Sequence, residues 1–515
     1  MGSGEPEDAG QGPRAAFQLI ADEPARPIIC RVIPWRTARV TVLVGAACLL
    51  GVGTLLLGQD AQRASRPPHV VPPRIPLGPS APTFNNQVVR LLQGNCQKCH
   101  HEGGIAPFPL MTYADAVEHK SDIVSQTKLR KMPPWHIDSS CADYQDDPTL
   151  SAADIQTLAN WAAAGAPEGD LRDLPPALTF ENGWSLGPPD RVLTMSEPFK
   201  PDFVAGDVYR CFVMPTGLTE DRFVRAVEIA PGSRQIVHHV ILFLDETGEA
   251  DRLDQQDPGP GYSCFGGPGF DVSATAPSLG GWAPGNRPRF LPDGIGIFLP
   301  KGAKVVMQVH YSAHNGIGQL DQSSLAIYFT RAPVNKKLYI APVINKTFRI
   351  PPGVSDYSVS ASIPFLPFEA HLLGVTPHMH LLGRTMSVTS RLPGGNSMCL
   401  GNVSDWDFNW QYSYTYRNPP AAGVGTAFDV EAHYDNSSTN HRNPNNPPKA
   451  VSWGENTTDE MCIAFLSFTV DAENLLSARA ETRPAAVEAV EAFLEHQWSL
   501  MWVDRPSPSA AGRRR

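Results

Sequence analysis

The chain has 515 residues, with 42 Lys+Arg against 52 Asp+Glu and a formal net charge of −10. That length suggests about three domains, and a mildly acidic chain without a basic run argues against nucleic-acid binding, whose affinity comes from phosphate neutralisation. Pro (50) and Gly (43) make up about 18% of the chain and apolar residues 42%, above the Pro+Gly average of roughly 12% but short of low-complexity disorder, a balance that favours short strands and many turns.

Residues 1–39 form a polar N-terminal segment, followed from Val40 to Leu57 by an apolar run without a charge. A helix of that length crosses a bilayer core. We read 40–58 as a transmembrane anchor rather than a cleaved signal peptide or a buried helix. The preceding segment is long for a signal n-region, and no clear small-residue cleavage site follows. Arg26, Arg31, Arg36 and Arg39 precede it and Arg63, Arg66 and Arg74 follow, so the charge bias is slight. Residues 59–83 are a Pro-rich, stiff linker.

A compact helical unit is expected over 84–170. It opens with Val88, Leu91 and Leu92 on one helical face. It closes with a helix in which Ser151 caps with Asp154 three residues on, Ile155, Leu158, Ala159 and Ala162 form a stripe, and Gly165 ends the run. A linker spans 171–190. From there the pattern changes to short alternating runs such as AKVVMQVHYS and AFDVEAHYD between Pro/Gly/Asn turns, which predicts two antiparallel β-sandwich modules, 191–345 and 346–475. Over 476–515, helical spacing returns with Val487, Val490, Leu494 and Met501 on one side, read as a helix packed on the sandwich with a tail after it.

Within the helical unit, Cys96-Gln97-Lys98-Cys99-His100 is a C-x-x-C-H motif, the pattern in which two thiols add to the haem vinyl groups and the adjacent His reaches the iron. No second Cys pair stands nearby to make it a zinc site. The region resembles the small class I cytochrome c domains. That resemblance implies one covalent c-type haem with His100 as proximal ligand and Met132, in the KMPPW run, as distal ligand; Met111 and His136 are the competing choices. Haem is attached outside the cytoplasm in bacteria. The expected arrangement is therefore a single-pass inner-membrane protein, N-terminus in the cytoplasm, with 59–515 on the outer face.

The sandwich region carries His238-His239, His310, His378-Met379-His380 and Met461. In a strand, His378 and His380 point the same way, whereas His238 and His239 point oppositely, so that pair needs a strand end or bulge to hold one ion. Imidazoles with a soft thioether suit copper rather than Mg²⁺ or Ca²⁺. With GWAPG (281–285), the HxHLLGR run to Arg384, WDFN (406–409) and DEMC (459–462), the order of these pieces over about 192–470 resembles the copper type II, ascorbate-dependent monooxygenases, the family of dopamine β-hydroxylase and peptidylglycine α-hydroxylating monooxygenase.

The resemblance implies two copper ions on two sandwich modules facing each other across a solvent-filled cleft. His238, His239 and His310 would hold the electron-transfer copper, and His378, His380 and Met461 the catalytic one at which O2 is used to hydroxylate a substrate C–H bond. Peptide-amidating members carry Arg and Tyr where this chain has Thr376 and Phe465, so a glycine-extended peptide would lose its carboxylate anchor here.

Apart from Cys30, Cys48 and the haem pair, five cysteines remain: Cys141, Cys211, Cys264, Cys399 and Cys462. An odd number leaves at least one thiol unpaired; Cys211–Cys264 and Cys399–Cys462 are two open pairings. His314 and His433 are read as bystanders. The whole reads as a multidomain, mainly β protein: a transmembrane helix, a small all-α cytochrome c domain and two jelly-roll-like β-sandwich copper modules. The expected function is a copper monooxygenase fed through a fused haem by a membrane or periplasmic donor, on a substrate the sequence does not specify. Two other readings stay open: a copper/haem oxidoreductase draining electrons to a respiratory chain, and a non-enzymatic electron-transfer or copper-binding protein.

Overall fold

The computed structural model describes residues 81–180, 183–204, 206–273, 278–312, 317–477 and 485–502. The apolar run at 40–57, Cys30, Cys48 and His314 lie outside the described residues. Among those described, no helix is long and apolar enough to cross a membrane.

The helical unit comprises α1 (Val89–Asn95), entered through a π-turn at Phe84–Val88, then α2 (Tyr113–Glu118), α3 (Lys120–Lys128) and α4 (Ala152–Ala163). The capping box read from Ser151 and Asp154 is formed in both directions, which satisfies two of the backbone donors that a helix start leaves open. Gly165 takes a φ of 85°, a left-handed position that costs glycine nothing and turns the chain out of α4. Val88, Leu92, Leu158 and Trp161 are fully buried and form the small core of this unit.

The strands are β1 (Arg191–Thr194), β2 (Val208–Pro215), β3 (Arg222–Ala230), β4 (Val237–Asp245), β5 (Ser278–Trp282), β6 (Ile295–Leu299), β7 (Lys304–Tyr311) and β8 (Ser324–Phe329) in one module. The other has β9 (Tyr339–Asn345), β10 (Tyr357–Ile363), β11 (Ala370–His378), β12 (Gly383–Arg391), β13 (Ser397–Val403), β14 (Ala427–Tyr434) and β15 (Cys462–Val470). In the first module one sheet runs β1-β8-β3-β6 and the other β2-β7-β4-β5; in the second the sheets run β9-β15-β11 and β10-β14-β12-β13. The structure is thus mainly β with few helices, as the alternating runs require.

Burial follows from position. Strand β10 alternates buried and exposed residues, as a strand with one wet face should, whereas every residue of β7 after Lys304 is buried. That strand lies between β2 and β4, with the main core of the module on one face. On the other, Val306 packs in a second cluster with Phe243, Tyr262 and the Cys211–Cys264 disulfide. The run VVMQV, read from the sequence as alternating, is therefore covered on both faces.

The second module has two additions. An 18-residue helix, α5, spans Ala485–Trp502 and buries Val490 and Leu494 against β9, the packing expected for it. The segment from Trp135 to Asp147 leaves the helical unit and joins the second module's core through Ile137 and Tyr144. Ile137 bridges to Val403, Tyr144 bridges to Tyr416, and Cys141 is disulfide-bonded to Cys399. The open pairing Cys399–Cys462 is therefore corrected: Cys399 is taken by Cys141 from the far end of the chain, and Cys462 is a buried free thiol. The pairing Cys211–Cys264 is present.

Candidate metal centres

His238 and His239 follow each other on β4, and the register of β4 against β7 shifts between Val237 and His239. This irregularity is what lets neighbouring side chains serve one point. His310 comes from β7, where it is paired with His239. The Nδ1 atom of His239 lies 3.3 Å from that of His238 and 3.3 Å from that of His310, and one ligand nitrogen from each ring falls within 4.8 Å of the others. Two nitrogens each about 2 Å from one ion and about 109° apart would be separated by roughly 3.3 Å, so the spacing fits a shared metal.

Behind His310, Nε2 is 3.2 Å from the Asp207 carboxylate, leaving Nδ1 for the ion. Burial opposes the charge on Asp207, yet the hydrogen bond and charge of His310 and the Thr457 hydroxyl hold its pKa down at about 2. Burial, followed by the neighbouring imidazoles, pushes His239 well below its usual range and keeps it neutral, the form a ligand needs.

The second group is built at strand ends. His378 is the last residue of β11 and His380 lies two residues beyond it, with ring centroids 5.2 Å apart and planes at 89°. Met461 immediately precedes β15, whose Ile463 pairs with His378. His380 Nδ1 is 3.2 Å from the Asp459 carbonyl, which leaves Nε2 as the free ligand atom. Burial pushes His378 down to about 4 against a hydrogen bond to Gln411. It pushes His380 well below the usual range too, with the charge of His378 adding to the effect.

A carboxylate holds this second group together. Glu460, fully buried, accepts the backbone N–H groups of His380 at 2.8 Å and Met461 at 3.1 Å on one oxygen and that of Leu382 at 2.6 Å on the other. Burial pushes its pKa up to about 8 against the pull of these N–H groups and that of Gly383. The indole of Trp406 also donates to the His380 carbonyl at 3.0 Å. Two neutral imidazoles beside a methionine fit a copper ion by donor chemistry.

The two groups meet through one ring. Phe408 of the WDFN run stacks on His238 at 4.4 Å and meets His380 edge-on at 5.7 Å. The modules are also tied by Tyr209 Oη to the Glu455 carbonyl at 2.7 Å, by the Thr457 hydroxyl to Asp207, and by Asn286, which pairs with the backbone of Gln411 and Ser413. Side chains thus bridge the two modules at these points.

In the helical unit, His100 Nδ1 is 3.0 Å from the Phe108 carbonyl, so Nε2 is the atom left to ligate. Cys96 and Cys99 are free thiols, and burial together with Cys99 pushes Cys96 up to about 12. Gly104 allows this loop to close, since a Cβ there would lie 2.3 Å from the Cys99 carbonyl. These groups fit covalent haem attachment with an axial imidazole. Among the distal candidates, Met132 ends the segment after α3 and Met111 precedes α2. His136 is drawn instead towards Asp405 and Asp407 of the second module, where burial lowers its pKa.

Sequence reasoning did not single out Asp207, Phe408 or Glu460 for a role. The last two lie inside runs quoted for the resemblance, but nothing in a sequence shows that an acid beside a ligand faces inward. Asp207 carries no signal at all.

No family model matches the chain. It is 23% identical over 262 residues to DBH-like monooxygenase protein 1 of Homo sapiens, a match covering 47% of this chain and 40% of the relative. The protein of the same name from Mus musculus is 24% identical over 290 residues, 51% of this chain and 44% of the relative. The chain thus spans less than half the length of these relatives. Among solved structures, the VP2 subviral particle of infectious bursal disease virus covers 60% of the chain at 10% identity with a TM-score of 0.15, too slight a likeness to carry an argument. The likeness to these two DBH-like monooxygenase proteins is distant.

Proposed function

We propose that this chain is a copper-dependent monooxygenase that hydroxylates a C–H bond of its substrate with O2 and receives electrons through a fused c-type haem. His238, His239 and His310 hold one copper through Nδ1 atoms; His378, His380 and Met461 hold the other. Cys96, Cys99 and His100 hold the haem, with Met132 as its second axial ligand. Copper, when bound, supplies O2 activation and one-electron redox chemistry, and haem supplies the point of electron entry. The anchor at 40–58 places the enzyme in the inner membrane with residues 59–515 outside the cytoplasm, where a membrane or periplasmic donor reduces it.

The observation that carries the reading is the contact of Phe408 with a histidine of each group. It ties the two histidine groups to one ring instead of leaving them on separate surfaces, with His310 and His380 buried. Around them Asp207 fixes the tautomer of His310, Glu460 sets the backbone at His380 and Met461, and Asn286 keeps the two modules together. Each protein group is poised before any substrate arrives.

The test is rapid mixing of copper-loaded, haem-reduced protein with O2 while the haem absorption band is followed, beside a variant carrying His378→Ala and His380→Ala. Reoxidation that is fast only with the intact pair supports the reading. Equal rates would mean that the haem is not wired to that copper site, and a chain without a haem band would remove the haem from the proposal.

A further inference from the structure

A cavity of about 170 Å³ lies where the three folded parts meet, with none of the histidines of either group in its lining. Trp135 comes from the helical unit's extension, Asn286, Arg287 and Arg289 from the loop after β5, and Tyr412 and Ser413 from the second module. Its charge is unbalanced. Arg289 is paired with Asp146 at 3.2 Å and reaches Gln145 Oε1 at 3.4 Å. Arg287 makes no ion pair or hydrogen bond among the described residues and adds its charge beside Arg289. Two guanidinium groups therefore face one carboxylate, leaving an excess positive charge in a partly enclosed space. A guanidinium with an open fork in such a place matches a carboxylate, which it binds through two parallel charge-assisted hydrogen bonds.

The walls favour the same ligand. Trp135 and Tyr412, whose ring centroids are 6.1 Å apart, form one aromatic wall against which an apolar body behind the acid group can pack. Ser413 Oγ accepts the Thr376 hydroxyl at 2.9 Å, two residues before His378. That contact ties one wall of the cavity to the His378 end of β11.

We propose that this cavity is a carboxylate-binding site in which Arg287 provides the unpaired guanidinium and Arg289, held by Asp146, sets its long-range field. It rests on the oxygenase reading for its place beside the reaction. Two carboxylates meet the chemistry there: the acid group of a substrate reaching His378 or a propionate of the haem joined to Cys99.

The test uses the full chain, loaded with copper and haem, and titrates benzoate by calorimetry while the haem midpoint potential is measured separately. A substrate site predicts benzoate binding that Arg287→Gln weakens at least about tenfold, the scale of one lost charge-assisted contact, with the haem potential unchanged. A propionate site predicts no benzoate binding in the loaded protein, binding once Cys96→Ala and Cys99→Ala remove the haem, and a shifted haem potential in Arg287→Gln. Arg287→Lys, which keeps the charge without the fork, should recover part of either effect at an unchanged melting temperature. Benzoate that binds to none of these forms, together with a haem potential indifferent to Arg287→Gln, would overturn the proposal; so would undiminished benzoate binding in Arg287→Gln. Because benzoate binding is read without O2 or turnover, a failure of the oxygenase reading leaves this result separately visible.

Discussion

The two histidine groups are assembled in opposite ways. His238, His239 and His310 sit on adjacent central strands, so two rows of ladder hydrogen bonds fix their backbone and a single irregularity in β4 does the rest. His380 and Met461 lie where β11 and β15 have run out, and one buried carboxylate replaces the missing ladder. The first group takes its geometry from the sheet; the second depends on a single side chain. A site held by sheet pairing tolerates the loss of any one neighbour better than a site held by one acid.

That contrast is broken most severely by Glu460→Ala. Each buried N–H left without an acceptor costs about 1–3 kcal/mol, and Glu460 serves His380, Leu382, Met461 and Gly383. A loss on the order of 4 kcal/mol is expected in denaturant unfolding, and on the proposed two-copper reading the copper stoichiometry falls from two to one because only the strand-borne group survives. Retention of both ions and of the parent's stability would show that the carboxylate holds nothing together.

A smaller effect, and one the groups share, is acid sensitivity of the metal-free protein. Burial lowers His378 from 6.5 to about 4 and pushes His239 and His380 down as well. Each is more readily protonated in the unfolded chain than in the folded one. The contribution of His378 is therefore full above pH 6.5 and lost as pH falls towards 4, with His239 and His380 acting in the same direction. His378 alone accounts for on the order of 3 kcal/mol across that window. The denaturation midpoint should drop through this range and flatten in His378→Gln; an unchanged slope in that variant would assign the acid sensitivity to other groups.

Asp207→Asn acts on the strand-borne group alone. Loss of the carboxylate behind a ligating imidazole lowers metal affinity about 10–100-fold, and here only the ion at His310 should be affected, since Asn still accepts the Thr457 hydroxyl. Copper titration of each site, with the other disabled, gives the answer. Equal weakening at both sites would mean that the Asp207–Thr457 contact also carries the geometry of the Met461 loop.

What the sequence made legible divides along the same line. Short-range chemistry was readable: the Ser151–Asp154 box, the alternation in β14, and the need for an irregular strand at His238-His239 all depend on residues within a few positions of each other. The long-range partners were not. Asp207 reaches Thr457 across 250 residues and Cys141 reaches Cys399 across 258, so no local periodicity points from one to the other. The same distance effect hid the contact between the modules, because WDFN reads as a loop until Phe408 is seen against His238. Glu460 stayed hidden for a different reason. An acid beside an apolar run reads as solvated unless the N–H groups that desolvate it are known.

The smallest expected effect is the sharpest probe of whether the two groups are independent. Phe408 belongs to neither ligand set, yet its ring faces His238 at 4.4 Å and His380 at 5.7 Å. A stacked or edge-on aromatic contact is worth about 0.5–1.5 kcal/mol beyond the area it buries, so Phe408→Leu should cost roughly 1 kcal/mol and leave both ions bound. Ring currents report contacts directly: the imidazole proton resonances of His238 and His380 should both move in the metal-free variant. If only His238 responds, the ring packs on the strand-borne group alone and the second group is as isolated as its strand-end position allows. If both respond, one side chain links a site held by a sheet to a site held by an acid, and further substitutions at Phe408 can tune both with no ligand touched.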